Sequence, residues 1–445
     1  MKNLLIDMFN IKEEDIELFN TSNREDGSVA VRLRLKKRNN DLFCPVCGNK
    51  LVGNGTKLKP VKHKILTDRN MEVFYEARRY RCKSCNYSEY EKNPLSISGF
   101  SVSIPVMNRV MIDLHDPRYN YTMIAEKNSI SVNEVINYFD SFVCVPKQPL
   151  GENIGIDEIH SDMAKRKDAS YLGVITNNDR FALIDILPSR SKYEISKFLS
   201  SYSKEEREKV LYVTIDMWEP YLKEARRWLP NCTVAVDPFH VIEHLTLDFT
   251  KIRVRIMNGT VYGSPSYYLL KTWHKLLESD KFNLNGNGKY NHVFHQKLNY
   301  GELLKMILEI DDELRLAYEL KEAYRIFSNS STFERAEEEI NDLISAFQRS
   351  NIKEYEEFTS LLVHWKKEII NSFIRSPVTG SRLSNAKSES MNMNIKTHIR
   401  ISKGLSNFLR FRKRMIYCFN DHVFYALTSK LTSMKRNFKK KRKTQ

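Results

Sequence analysis

Long apolar runs are missing from this chain. No stretch of ~20 hydrophobic residues occurs, so no bilayer-spanning helix is expected. Cysteine is scarce and odd in number, seven in all, which argues against a disulfide-stapled scaffold and for a reducing compartment. Glycine and proline are sparse at 15 and 13 residues, which excludes a collagen-like chain, and no internal repeat is evident. The first 15 residues carry only a Leu4-Leu5-Ile6 patch before Asp7, which is not the pattern of a secretory signal. What is there is a chain of 445 residues, 41% hydrophobic, too apolar for disorder and long enough for two to four domains at ~100–200 residues each. A soluble, basic, multidomain intracellular protein is expected, with no membrane partner.

The charge is +16 and unevenly placed. Residues 382–443 hold 17 Lys and Arg against two acids, Glu389 and Asp421. Residues 32–92 hold 16 basic against six acidic residues, whereas residues 302–342 reverse the balance with 12 acids against five bases. Two basic regions flanking an acidic one suggest two contact surfaces for a polyanion. The last run, Lys435-Arg436 and residues 439–443, reads as a basic tail with nonspecific affinity.

Four of the seven cysteines fall in two CxxC knuckles, Cys44-Pro45-Val46-Cys47 and Cys82-Lys83-Ser84-Cys85, separated by 34 residues. Each knuckle can present two thiolates to one tetrahedral ion, so the pair predicts a closed structural Zn2+ site. Turn residues at Gly48, Gly53 and Asn54-Gly55, then a strand at 71–77, suit a zinc ribbon built from β-hairpins. Free thiols or a redox pair are the competing readings, and His63 is a substitute ligand. Arg78, Arg79 and Arg81 lead into the second knuckle and are candidate phosphate contacts. Cys144, Cys232 and Cys418 are isolated and read as packing residues.

Residues 121–139, YTMIAEKNSISVNEVINYF, predict a helix-turn-helix. Ala125 is small where two helices would cross. Ser129-Ile130-Ser131 makes the turn, and Ser131 with Glu134 forms a capping box. Val135, Ile136 and Phe139 give the second helix an apolar face, leaving Asn133, Glu134 and Asn137 for the major groove. An ordinary helical hairpin is the alternative.

Further on, two short apolar runs each end in a carboxylate: 153–156 before Asp157, and 210–215 before Asp216. Strands at 171–176 and 181–187 lie between them. A helix at 219–228 and a strand at 233–236 follow, the latter ending in Asp237. Strand, hairpin, strand, helix, strand is the order expected of a multidomain α/β protein with a ribonuclease H-like mixed sheet. Carboxylates crowded at strand ends repel unless cations intervene. Paired divalent ions at such a cluster serve phosphodiester transfer, and hard oxygen ligands select Mg2+ or Mn2+. A third acid comes from residues 384–400, SNAKSESMNMNIKTHIR, where Glu389, Asn392, Lys396 and Arg400 share one helical face. A solvated surface glutamate is the plainer account of Glu389.

These blocks in this order resemble the transposases of bacterial insertion sequences of the ISL-three group: the four-cysteine ribbon, the helix-turn-helix, IGIDEIH, TIDMWEPY, AVDPFHV, and SNAKSESMNMNIK followed by Gly404 and FLRFRKR. The resemblance implies a DDE transposase on a ribonuclease H-like core. It places the catalytic acids at Asp157, Asp216 and Glu389, and a DNA-contacting base at Lys396. Ser390 departs from the glycine usual in relatives. The implied protein is bacterial and cytoplasmic, near the nucleoid. It binds the double-stranded terminal inverted repeats of its element, cleaves and joins strands with Mg2+, and works as a homodimer or larger assembly. No small-molecule substrate and no covalent protein intermediate are expected.

Asp237-Pro238 also fits a helix N-cap and first turn, with a helix over 241–255. Asp237 and His240 are therefore candidates for an outer role beside the metal ligands. Asp162, Asp168 and Asp179 read as solvated loop acids, and Glu158 is expected on the opposite strand face from Asp157. The domain boundaries expected are a zinc ribbon region at 1–100, a helix-turn-helix at 101–146, and the first part of the catalytic core at 147–250. An all-helical insertion at 251–379, the last core helices at 380–425 and the basic tail at 426–445 complete the chain. Two rivals share this sequence: a non-catalytic DNA-binding regulator derived from a transposase, and a structure-selective nuclease.

Overall fold

Alternating apolar residues build a five-stranded sheet in the first ninety positions of the computed structural model. Its strands are β1 (Ile16–Asn23), β2 (Val29–Leu35), β3 (Leu51–Lys64), β4 (Asn70–Cys82) and β5 (Ser88–Tyr90). The order is β1-β2-β4-β3, with β5 paired to β4. Val29, Val31 and Leu33 of β2 and Met71, Val73 and Tyr75 of β4 are buried on alternate positions, so one face carries the core. The sheet is wider than a ribbon. β2 runs parallel to β4, a long-range pairing that no local turn signal announces. The structure describes residues 6, 9–37, 41–64, 70–162, 170–279, 281–402, 407–420, 425 and 427. The Leu4-Leu5 patch, Asp168, Gly404 and the basic tail lie outside the described residues.

Three helices follow: α1 (Ile104–His115), α2 (Tyr121–Asn128) and α3 (Val132–Phe142). Ser129 ends α2 in the left-handed region at φ 52°, the conformation that glycine adopts most easily. Ser131 and Glu134 form the capping box of α3. Val135, Tyr138, Phe139 and Phe142 bury one face of α3 and leave Asn133 and Asn137 exposed. Glu134 is engaged by the cap and by Lys62 at 3.2 Å. Cys144 is exposed, which corrects its reading as a packing residue, while Cys418 is buried and Cys232 half-buried.

The chain divides into two units, Met1–Lys147 with Met393–Gln445, and Gln148–Asn392. The second is built on a sheet of β6 (Asn153–His160), β7 (Tyr171–Asn177), β8 (Ala182–Leu187), β9 (Tyr212–Ile215) and β10 (Thr233–Val236), in the order β10-β9-β6-β7-β8. β6, β9 and β10 are parallel neighbours, and β7 and β8 add antiparallel strands. The parallel strands read as unbroken apolar runs because both faces are covered. Helices α4 (Lys192–Ser200), α5 (Lys204–Arg207), α6 (Glu219–Trp228) and α7 (Pro238–Gly259) surround them. Beyond lie α8 (Pro265–Thr272), α9 (Lys275–Glu278), α10 (Tyr300–Leu308), α11 (Asp312–Ser330), α12 (Phe333–Ser350) and α13 (Glu356–Asn371). A small hairpin, β11 (Lys289–Asn291) with β12 (Gln296–Leu298), interrupts them, so the insertion is not all-helical. Three-residue strands are too short for an alternation signal, and only the Gly and Asn residues nearby marked a loop. Among the described residues the last helices are α14 (Ala386–Ile401), which carries Glu389 in its first turn, and α15 (Phe408–Cys418).

Candidate active site and cysteine centre

Register puts three aspartates in a row. Ile156 of β6 pairs with Ile215 of β9, and Ile215 pairs with Val236 of β10. The next residues are Asp157, within β6, and Asp216 and Asp237, just past the ends of β9 and β10, so three carboxylates stand at the same level across three adjacent parallel strands. Such strands stand about 4.8 Å apart, too close for three bare charges in a dry setting. Asp157 and Asp237 are 5% and 2% exposed.

The α14 face supplies the rest. Asn392 donates its amide to Asp157 Oδ2 at 2.6 Å. Asn385 donates its backbone N–H to Asp237 Oδ1 at 3.3 Å and its side chain to Asp216 Oδ1 at 3.5 Å. Glu389 lies between them, half-buried, with its carboxylate, that of Asp237 and the His240 ring all within 4.8 Å of one another. His240 Nε2 meets Asp216 Oδ1 at 3.0 Å. The residues that gather within 4.8 Å are Asp237, His240 and Glu389 rather than the expected Asp157, Asp216 and Glu389. Asp216 reaches this group through His240, and Asp157 stands beside Asp216. Asp237 occupies the N-cap position of α7, as its Asp-Pro sequence predicts. Its side chain makes no capping bond and faces the cluster instead.

Charge crowding is visible in the proton affinities. Burial pushes the Asp157 carboxyl up to about 8, and the neighbouring Asp216 charge adds to it. Burial raises Asp237 to about 7, with Glu389 contributing. The hydrogen bond to Asp216 raises His240 to about 10. From the ordinary carboxyl value of 3.8 up to about pH 8, the folded state holds protons that the unfolded chain has released, so stability falls as pH rises. His240 adds a loss of the same sign between its ordinary 6.5 and about 10. In EDTA, the Tm is expected to drop from pH 5 to pH 9. Millimolar Mg2+ is expected to restore more of it at pH 9 than at pH 6, because the cation replaces protons. A Tm flat in pH and indifferent to Mg2+ would contradict this.

Two further residues, Ser388 of α14 and Asn385 immediately before it, both missed in the sequence, seat the helix on the sheet. Ser388 Oγ meets Thr176 Oγ1 of β7 at 2.5 Å, and Asn385 reaches the Ile156 carbonyl at 3.5 Å. Their spacing with Asn392, at three and four residues, was the available signal, but small polar side chains read as a solvated face. Gly155 makes room for this contact. A Cβ there would lie 2.4 Å from Ser388 Oγ, 2.7 Å from Thr176 Oγ1 and 2.8 Å from Asn385 Oδ1. Gly155→Ala is therefore expected to cost about 1–3 kcal/mol by overpacking and to reduce activity by displacing α14. Unchanged melting and activity would refute the fit.

Glu158 is held by Arg190 and by Tyr221 Oη at 2.9 Å, away from the metal-ligating group. Asp179 is not a free loop acid, since its Oδ1 accepts from Ser376 at 2.9 Å and Asn153 at 3.2 Å.

In the first unit the four predicted cysteines converge, all thiols within 4.8 Å. Sγ separations are 3.4 Å for Cys44–Cys85, 3.4 Å for Cys47–Cys82 and 3.5 Å for Cys47–Cys85. A tetrahedron with metal–sulfur bonds of ~2.3 Å needs edges of ~3.8 Å, whereas a disulfide needs ~2.05 Å, so the set fits a metal ion. His63 is elsewhere, buried against Ser103 Oγ at 2.7 Å, and burial lowers it to about 4. Arg78 is occupied by Glu17 and Glu91. Arg79 and Arg81 are exposed, bonded to Ser88 and Asn86. Lys396 and Arg400 are exposed on the later turns of α14.

A carboxylate-rich cluster across parallel strands, with Asp237, His240 and Glu389 within 4.8 Å of one another, could hold a divalent cation. The chain belongs to the ISL-three transposase family: the family model, described as a transposase, matches residues 154–415 and so spans Asp157, Asp216, Asp237 and Glu389. The protein is therefore a transposase, an enzyme that acts on DNA. Among curated proteins no sequence matches the chain. No described helix is long and apolar enough to cross a membrane.

Proposed function

We propose that this transposase cleaves and joins DNA strands at Asp157, Asp216 and Glu389, on a ribonuclease H-like core, with paired Mg2+ or Mn2+ ions. The observation that supports the reading is convergence on His240: Asp216 Oδ1 meets its Nε2 at 3.0 Å, and Glu389, 173 residues later, lies within 4.8 Å of the same ring. The strand order β10-β9-β6-β7-β8 and the two catalytic aspartates on adjacent parallel strands support the same core. Bound cations would supply Lewis acidity and a nucleophile at neutral pH. Asp157, Asp216 and Glu389 hold them, Asn392 orients Asp157, and Asn385 fixes the aspartates of β9 and β10. The cysteine centre holds a structural Zn2+.

The terminal inverted repeats of the element are read by the cysteine-bearing sheet and by α2 and α3 acting as a helix-turn-helix. Asn133 and Asn137 contact bases, and Arg79 and Arg81 contact phosphate. Arg78 supports the strand through its ion pairs. Lys396 and Arg400 guide the DNA backbone near Glu389. Two ends must be joined together, so a homodimer or larger assembly forms on DNA.

The test is to incubate the protein and Mg2+ with labelled DNA carrying the inverted repeats that flank its reading frame. Nicking followed by joining is expected. Binding alone would make the protein a regulator, and nicking without joining a nuclease; either result overturns the proposal.

A further inference from the structure

We propose that Asp237, His240 and Glu389 form a cation pocket of their own, with two oxygen donors and one nitrogen donor, suited to a Mn2+-like ion in preference to Mg2+. The inference rests on the catalytic reading above and changes its ligand set, from three carboxylates to four carboxylates and a histidine.

Three observations carry it. The donor atoms of Asp237, His240 and Glu389 lie within 4.8 Å of one another, the spread that a single ion can gather. Asp237 is 2% exposed and its Oδ2 is buried with no hydrogen-bond partner, while Oδ1 accepts from Asn385. A bare carboxylate oxygen in the interior is costly unless something positive meets it. The helix start does not use it, since Asp237 makes no side-chain capping bond to α7.

The third observation is the surrounding of His240. It sits in the first turn of α7, three residues after Asp237, with Nε2 turned to the cluster and Nδ1 against Glu243 Oε2 at 3.3 Å. A carboxylate behind the ring can hold the Nδ1 proton, the usual arrangement of a metal-bound histidine, so a cation that displaces the proton now shared between Nε2 and Asp216 would find Nε2 able to ligate. Imidazole favours transition-metal ions over Mg2+, whereas the two carboxylates keep the pocket open to Mn2+. The pocket therefore differs in kind from the Asp157 and Asp216 pair, which offers oxygen alone.

The experiment is a Mn2+ titration of the full chain followed by electron paramagnetic resonance, with electron spin-echo detection of nitrogen coupled to the bound ion. The wild type is expected to show imidazole nitrogen coupling. His240→Ala loses it, Asp237→Asn weakens Mn2+ binding ~10–100-fold, and Asp157→Asn keeps it. Glu243→Gln, outside the pocket, is expected to weaken binding by roughly 10-fold with the coupling retained. No nitrogen coupling at saturating Mn2+, or unchanged Mn2+ binding by Asp237→Asn, overturns the pocket. If Asp157→Asn is meanwhile inactive, the catalytic reading stands without it. If instead Asp157→Asn joins strands normally while the coupling is present, the pocket stands and the catalytic assignment falls.

Discussion

Asp157→Asn is expected to lower strand cleavage and joining by ~1,000-fold or more while the chain stays folded, a loss typical of removing a group that acts as part of a catalytic unit. Asp157 is buried beside Asp216, so its charge is tolerable only with a cation or a proton to offset it. The amide keeps the shape and can still meet Asn392, which donates to Asp157 Oδ2 at 2.6 Å. It removes the charge that holds the ion. The variant should therefore melt at the same or a higher temperature than the wild type in EDTA, and gain less from Mg2+. Paired melting curves and a labelled-end assay measure both effects. Wild-type joining by Asp157→Asn would sink the assignment.

Removing metal from the cysteine centre is expected to unfold that end of the first unit. Its apolar cluster is small, with Cys44, Leu51, Tyr80 and Cys82 buried and Tyr87 packed against them. So few side chains cannot hold the knuckles, whereas structural Zn2+ in comparable peptides contributes an apparent ~10–16 kcal/mol. Purified protein should carry one zinc per chain by atomic absorption. A strong chelator, or Cys44→Ser, should raise amide exchange at residues 44–56 and 78–90. The core around Val31, Val73 and Tyr75 should hold longer, since it is closed by apolar packing. Protein without zinc whose exchange ignores the chelator would contradict the expectation.

Local patterns made much of the second unit legible. The helix at Glu219–Trp228 and the strand at Thr233–Val236 fall where apolar spacing puts them. The Ser131 and Glu134 box marks the start of α3 because a cap is a contact across three residues. Asp237 was harder to read. Asp-Pro before a helix is a sufficient local explanation, and only the pairing of Val236 with Ile215 reveals that its carboxylate stands beside Asp216. Register between strands is a non-local property, as is the parallel pairing of β2 with β4. The grip of Asn385 and Ser388 on the sheet was hidden for the same reason, since their partners lie more than 200 residues earlier in the chain.

That separation has a consequence for synthesis. Strands β6, β9 and β10 leave the ribosome long before α14, so their aspartates exist for a time with no glutamate to join them. Domains fold as units while translation proceeds. If Glu389 acts as proposed, a chain released before residue 386 lacks it altogether and is expected to be inactive. On that assignment, the order of the elements makes strand cleavage wait until synthesis has passed α14.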